Sequence, residues 1–141
     1  MKKTMRVLSL VLCLVLAVAV FAGCSAKYKS VGDYLLEDEV QASLDEEVAA
    51  LEGSGVSMTV YADGNALVYD CKYDEQLDLS DEEFSAAIVA ALEEACVSED
   101  STAIYTDILD SLREIIDADD ICVRLIYRNA DDSVIYSHDY K

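Results

Sequence analysis

Apolar residues recur every three or four positions in three stretches of the chain, with acidic residues filling most positions between them. These stretches are residues 33–52, 84–95 and 104–119. Such spacing predicts three amphipathic helices with acidic outer faces. Gly53 and Gly55 follow the first stretch, where glycine favours the left-handed end of a helix. Ser80 and Glu83 precede the second stretch and fit a capping box.

Four other stretches alternate apolar and polar residues and therefore predict strands. They are residues 56–61, 67–73, 121–128 and 134–138. A short polar segment separates the members of each pair, which is typical of two β-hairpins. In the first hairpin, a two-residue turn at residues 63–64 would set Val60 opposite Leu67.

The element order αββ-ααββ predicts an α+β fold, with two hairpins in one four-stranded antiparallel sheet and three helices on one face of it. The two hairpins also resemble each other in sequence. Val56-x-Met58-x-Val60 matches Ile121-x-Val123-x-Leu125, about 65 residues away. Either the halves form a pseudo-repeat, or the match reflects only the composition common to strands.

The sheet face without helices is the candidate binding surface. Strand alternation places Tyr61, Lys72, Arg124 and Arg128 on that face. Tyr and Arg side chains are enriched where protein interfaces are strongest, so we expect a positively charged binding face there. The alternative is that the two arginines only balance Asp70 and other acids across the strands.

The amino-terminal segment has the parts of an export signal: the cations Lys2, Lys3 and Arg6, and then an apolar run over residues 7–21. Ala22-Gly23-Cys24-Ser25 follows and resembles the lipobox of bacterial lipoprotein precursors. A retained transmembrane helix is the alternative, but the run is short for one. The resemblance implies that Cys24 carries the lipid and becomes the mature amino terminus.

This resemblance divides the chain into a signal peptide at residues 1–23, a flexible lipid-anchored tether at residues 24–32 and an acidic domain at residues 33–141. It also implies an extracytoplasmic position, with the membrane bound through the Cys24 lipid. The chain is similar in size and charge to small uncharacterised surface lipoproteins of Gram-positive bacteria.

Charge and side-chain chemistry limit the possible functions. Seven Lys and Arg follow the leader against 29 Asp and Glu, a charge of about −22, which disfavours a nucleic-acid partner. Cys71, Cys96 and Cys122 form no C-x-x-C pair, and His138 is the only histidine, so we expect no metal and no cofactor. A single histidine offers little for nucleophilic catalysis, so an enzyme is disfavoured.

The sequence therefore predicts a membrane-anchored extracytoplasmic lipoprotein that binds a protein partner. Two alternatives belong to other classes. One is a lipoprotein that binds a small ligand or a cation, and the other, which is disfavoured, is a hydrolase built around His138.

Overall fold

Four helices and four strands follow one another in residues 28–141, the part of the chain that our computed structural model describes. They are α1 (Val31–Leu35), α2 (Asp38–Ala50), β1 (Val56–Asp63), β2 (Ala66–Tyr73), α3 (Glu82–Val97), α4 (Glu99–Ile115), β3 (Cys122–Arg128) and β4 (Val134–Tyr140). The helices pack on one face of a single four-stranded sheet, and the main hydrophobic core lies between these two layers. The α+β class is confirmed.

The sheet has the strand order β1-β2-β3-β4 and is mixed. Both hairpins are antiparallel as predicted, but the two central strands, β2 and β3, run parallel. The prediction of a purely antiparallel sheet was wrong. The crossover through α3 and α4 returns the chain to the end of the sheet where β2 begins, so β3 runs in the same direction as β2.

This topology also excludes the pseudo-repeat as a symmetry of the described fold. β1 is antiparallel to β2 and β2 is parallel to β3, so β1 and β3 run in opposite directions. A rotation that placed the first hairpin on the second would have to reverse the strands, and this would also exchange the two faces of the sheet. Met58 and its counterpart Val123 would then face opposite sides, but both face the helices. The sequence match therefore reflects strand composition.

The first hairpin forms with a register that differs from the prediction by two residues. Val60 lies opposite Tyr69, and Asp63 lies opposite Ala66. The turn consists of Gly64 and Asn65, and Gly64 has a φ of 60°. A positive φ at the first central position is typical of a type II′ turn, which glycine favours. A shift of two residues preserves the faces of the strands, so the predicted inward and outward positions are correct.

The helical region before β1 contains two helices where the sequence predicted one. α1 ends at Leu35, and the extended backbone of Glu37 separates it from α2. The Gln41 side chain donates a hydrogen bond to the carbonyl of Leu35, one of the acceptors at the end of α1. Leu36 is 77% exposed at this break. Residues 28–141 therefore contain four helices instead of the predicted three.

The folded part also begins before the predicted boundary at Asp33. Val31 is fully buried in α1, and Tyr28 pairs with Ile116 in an isolated parallel bridge. The described part of the predicted tether, residues 28–32, is thus in contact with the domain. The predicted signal peptide, residues 1–23, and residues 24–27 of the predicted tether lie outside the described residues.

The cap of α3 differs from the predicted one, and a single serine connects α3 to α4. Asp81 accepts the hydrogen bond from the Phe84 amide at 3.0 Å, in place of the predicted cap Ser80. The single residue Ser98 joins α3 to α4, donating to the Ala95 carbonyl and accepting from the Ser101 amide. This cap starts α4 at Glu99, five residues before the predicted apolar stretch.

Candidate functional site

The four candidate binding residues lie on the sheet face opposite the helices, which we call the open face. Tyr61 comes from β1, Lys72 from β2, and Arg124 and Arg128 from β3. Their strand neighbours on the other side of the sheet belong to the core, so alternation fixes their direction. The predicted placement on one face is therefore observed. Binding by these residues stays a prediction.

Arg128 joins three strands of this face through one carboxylate. Its Nε donates to both oxygens of Asp70, at 2.8 and 3.0 Å, across the parallel β2–β3 pair. The Tyr61 hydroxyl donates to the same carboxylate at 3.0 Å from β1. Partial burial, and then the neighbouring Asp70, raise the pKa of Tyr61. Asp70 is thus held by a cation and a phenol on opposite sides.

Arg124 forms a second set of ion pairs nearer the Gly64 turn. Its Nε and Nη2 donate to the two oxygens of Asp139 on β4, at 2.7 and 3.1 Å, in the two-pronged geometry that arginine favours. Its Nη1 also donates to Asp63 at 3.3 Å. The hydrogen bonds from Arg124 hold the pKa of Asp139 below its usual value.

Lys72 pairs with Asp132 at the opposite end of the face. The distance from Nζ to Oδ1 is 2.8 Å, and the side chains of Lys72 and Asp132 are 40% and 71% exposed. Asp132 lies in the β3–β4 loop with a φ of 70°, and its backbone carbonyl accepts a hydrogen bond from Arg128 at 3.1 Å. The exposed pair is open to solvent screening and contributes little to stability.

Each cation of the open face is therefore matched by an acid. Lys72, Arg124 and Arg128 contact four carboxylates, which belong to Asp63, Asp70, Asp132 and Asp139. The expected positive patch is wrong, and the alternative of charge balance across strands describes the geometry. The open face therefore presents paired charges, three cations against four carboxylates.

A shallow groove of about 480 Å³ lies along β3 and β4 on the open face. It is lined by Arg124, Ile126, Val134, Ser137 and Asp139. Val134 is 55% exposed there. The groove thus combines two aliphatic side chains, a hydroxyl and a fixed ion pair. A peptide segment or a small molecule with both apolar and polar groups matches such a lining.

Sequence reasoning missed a small apolar cluster on the open face, which shares Ile126 with the groove. Ala66, Val68 and Cys122 are buried on the open face, and Tyr61 and Ile126 pack against them. The apolar residues Val68 and Ile126 at outward positions of two strands were the signal for it. The cluster supports the side chains that line the face.

The three cysteines of the domain are free thiols and are buried. Cys71 and Cys96 lie in the main core, whereas Cys122 belongs to the open-face cluster. Burial raises the pKa of Cys71 to about 12, so its reactive thiolate form is disfavoured at neutral pH. Cys24, the predicted lipid site, lies outside the described residues.

His138 points toward the helix layer, away from the groove. Its ring lies 4.6 Å from the ring of Tyr140, and its Nδ1 is 3.3 Å from the Tyr136 hydroxyl.

Within residues 28–141, no three His, Cys, Asp or Glu side chains are grouped so that they could hold a metal ion. None of the helices in this range has the length and apolar character needed to cross a bilayer.

No curated protein and no solved structure is significantly similar to the chain. A family model described as a domain of unknown function, DUF4854, matches residues 31–140, from the start of α1 to the end of β4. The chain therefore belongs to the DUF4854 family.

Proposed function

We propose that this chain is a membrane-anchored extracytoplasmic lipoprotein whose open face binds a protein partner. Lipid attachment at Cys24 rests on the lipobox-like residues. The observation that carries the binding role is the groove along β3 and β4, where the exposed Val134 and the partly buried Ile126 lie beside the Arg124–Asp139 pair. Interfaces commonly combine an aliphatic centre with fixed polar groups at its rim.

Because the charges of the open face are paired, a partner would recognise the positions of its hydrogen-bonding groups and not an excess of one charge. Arg124 is held by three hydrogen bonds, two to Asp139 and one to Asp63, and therefore keeps one orientation. Its remaining N–H groups and the Asp139 carboxylate then present a fixed pattern to a partner. The acidic surface around the groove favours partners with basic flanking residues and increases their association rate at low salt.

A charge-swap variant tests the proposal without removing the ion pair. Arg124→Asp combined with Asp139→Arg reverses the pair and keeps the net charge. The matched control reverses the exposed helical pair of Asp110 and Arg113 on α4. Both variants should melt within a few degrees of the parent chain, because each retains its ion pair and because solvent screens the like charges that the open-face swap brings near Asp63, whose side chain is 69% exposed.

The readout is photocrosslinking in the native membrane. A photoreactive residue at Ser137, in the groove, should give a defined crosslinked protein, and one at Thr106, exposed on α4, should not. The open-face swap should abolish the Ser137 crosslink and the α4 swap should retain it. Retention of the crosslink in both swaps, or equal crosslinking at Thr106, would contradict binding through the open face.

The alternative of a small-ligand lipoprotein makes a different prediction for the same groove, which is shallow and open to solvent. A small ligand would give no protein crosslink at Ser137 but would protect the groove from labelling. The contacts of His138 with two tyrosines give no support to the hydrolase alternative.

A further inference from the structure

The described chain enters the domain at one end of the sheet. The Tyr28 amide donates to the Ile115 carbonyl at 2.8 Å, and the Tyr28 carbonyl accepts from the Asp117 amide at 2.8 Å. These two bonds hold the backbone of Tyr28 against the end of α4. The Tyr28 ring also packs edge-on against the ring of Tyr34, with centroids 5.5 Å apart. The entry point is thus fixed by backbone and side chain.

Two further observations identify which end of the sheet this is. Gly32 in α1 lies beside Ala62, close to the Gly64 turn, since a Cβ added to Gly32 would be only 3.9 Å from the Cβ of Ala62. The Asn65 amide side chain donates to Asp120 at 2.7 Å, which joins the same turn to the loop after α4. The entry point, the Gly64 turn and the start of β3 therefore share one end, which we call the entry end.

The opposite end of the sheet contains the β3–β4 loop and the segment after β2. The Asn129 side chain accepts from the Leu77 amide at 2.8 Å and donates to the Leu77 carbonyl at 2.9 Å. The Asp131 amide donates to the Gln76 side chain at 2.9 Å. These contacts fix the two loops to each other, and we call this region the far end. The eight residues of β2 separate the two ends by about 25 Å.

The anchor segment is short compared with this distance. Only three residues separate Cys24 from Tyr28 in the sequence. Four Cα steps span at most about 14 Å even when fully extended. We infer that a lipid on Cys24 holds the entry end at the bilayer surface, with the far end directed away from it. This inference rests on the proposed lipid anchor.

This orientation gives the open face a defined height above the membrane. The Arg124–Asp139 pair lies toward the entry end, and the Lys72–Asp132 pair lies at the far end. A protein that fills the groove approaches from the side. A neighbour anchored in the same membrane, with its extracytoplasmic domain at equal height, fits that geometry.

Quenching of a fluorophore on the protein by labelled lipid headgroups measures the orientation directly. The acylated full chain is reconstituted in zwitterionic vesicles that contain a lipid with a nitroxide headgroup. Neutral lipid is chosen because exposed aspartates, including Asp63, Asp117 and Asp119, surround the entry end. One fluorophore is attached at Asp119→Cys, at the entry end, or at Glu75→Cys, at the far end. Both positions are exposed, and both changes remove one negative charge.

Quenching at position 119 should exceed quenching at position 75 several-fold. The native cysteines Cys71, Cys96 and Cys122 are at most 9% exposed, and the parent chain shows how much label they accept. Equal quenching at both positions, or stronger quenching at position 75, would overturn the orientation while the lipid anchor stands. A mature chain whose mass lacks acyl chains would overturn the anchor and the orientation with it.

Insertion of ten Gly and Ser residues between Lys27 and Tyr28 tests the reason for the orientation. A flexible insert of that length has a root-mean-square span of about 17 Å, enough to let the domain rotate. The difference in quenching between positions 119 and 75 should then fall by at least half. An undiminished difference would show that the short anchor segment does not set the orientation and would contradict the inference.

Discussion

The two faces of the sheet accommodate polar groups in opposite ways. On the helix-covered face, the polar atoms are mainly tyrosine hydroxyls, such as that of Tyr140, which donates to the Cys96 carbonyl at 2.6 Å. On the open face, full charges lie side by side and neutralise each other across the strands. Neighbouring residues of one strand therefore experience different environments only because their side chains point to opposite faces.

Two carboxyl groups illustrate this difference. Glu47 on α2 faces the helix-covered side, where its Oε2 is buried and accepts no hydrogen bond from the described residues. Burial raises the pKa of Glu47. On the open face, the hydrogen bonds from Arg124 lower the pKa of Asp139. Desolvation therefore sets the direction of the pKa shift of Glu47, and a partner cation sets that of Asp139.

The largest expected effect is the loss of packing on the helix-covered face. Ile88 on α3 is fully buried, and Ile88→Ala should lower the free energy of unfolding by about 2–5 kcal/mol because it removes apolar contacts and leaves a cavity. Glu46→Ala, on the exposed side of α2, should change it by less than about 0.5 kcal/mol. Denaturant melts measure both. Similar losses for the two variants would show that the layers are assigned wrongly.

The next effect is the coupling within the ion pairs of the open face. A double-mutant cycle on Arg128 and Asp70, whose side chains are 27% and 14% exposed, should give a coupling of about 1 kcal/mol. The same cycle on Lys72 and Asp132, which are 40% and 71% exposed, should give less than about 0.5 kcal/mol. Equal couplings in chemical denaturation would mean that burial does not distinguish the two pairs.

The pH dependence of Glu47 should be opposite to that of a paired carboxylate. A raised pKa means that the folded chain holds the Glu47 proton more tightly, so stability is lost as pH rises from about 4.3 through the raised value. Glu47→Gln should therefore be more stable than the parent chain at pH 7, and the gain should vanish below pH 4. Thermal melts across this range measure the gain. A variant less stable at pH 7 would contradict the desolvation argument.

Asp139 should give a pH dependence of the opposite sign. Because its folded pKa is lowered, its contribution is present above the usual Asp value of about 3.9 and is lost as pH falls through the lowered value. Asp139→Asn should be less stable than the parent chain at pH 7, with the difference shrinking toward pH 2. Asp119→Asn, at an exposed loop position, is the matched control and should show a much smaller difference at pH 7.

Local patterns in the sequence predicted much of this comparison. Alternation identified the four strands and the faces of Tyr61, Lys72 and Arg124 because side-chain direction depends only on position along a strand. The hairpins were predictable because their turns are local. The register of the first hairpin was not, because both Asp63-Gly64 and Gly64-Asn65 can form the two-residue turn.

The arrangement of the two hairpins relative to each other depended on contacts distant in sequence. One sequence feature did indicate the parallel pairing of β2 with β3. Ala66-Leu-Val-Tyr69 is a continuous apolar run, and all four residues are buried. Such runs are typical of parallel strands covered on both faces. The pairing of Arg124 and Arg128 was left open because four strands bring acids and cations together from positions up to about 60 residues apart.

The parallel pairing of β2 with β3 has a consequence for how the chain folds. Ala66 lies beside Cys122, so this pairing closes only after residues 74–121 have crossed over the sheet. Each hairpin can form early, but such non-local pairing is slow. During synthesis the first hairpin precedes β3, and until β3 arrives β2 is an unpaired edge rich in apolar residues, which is prone to aggregate. The join between the hairpins is therefore the kinetic weak point of the domain.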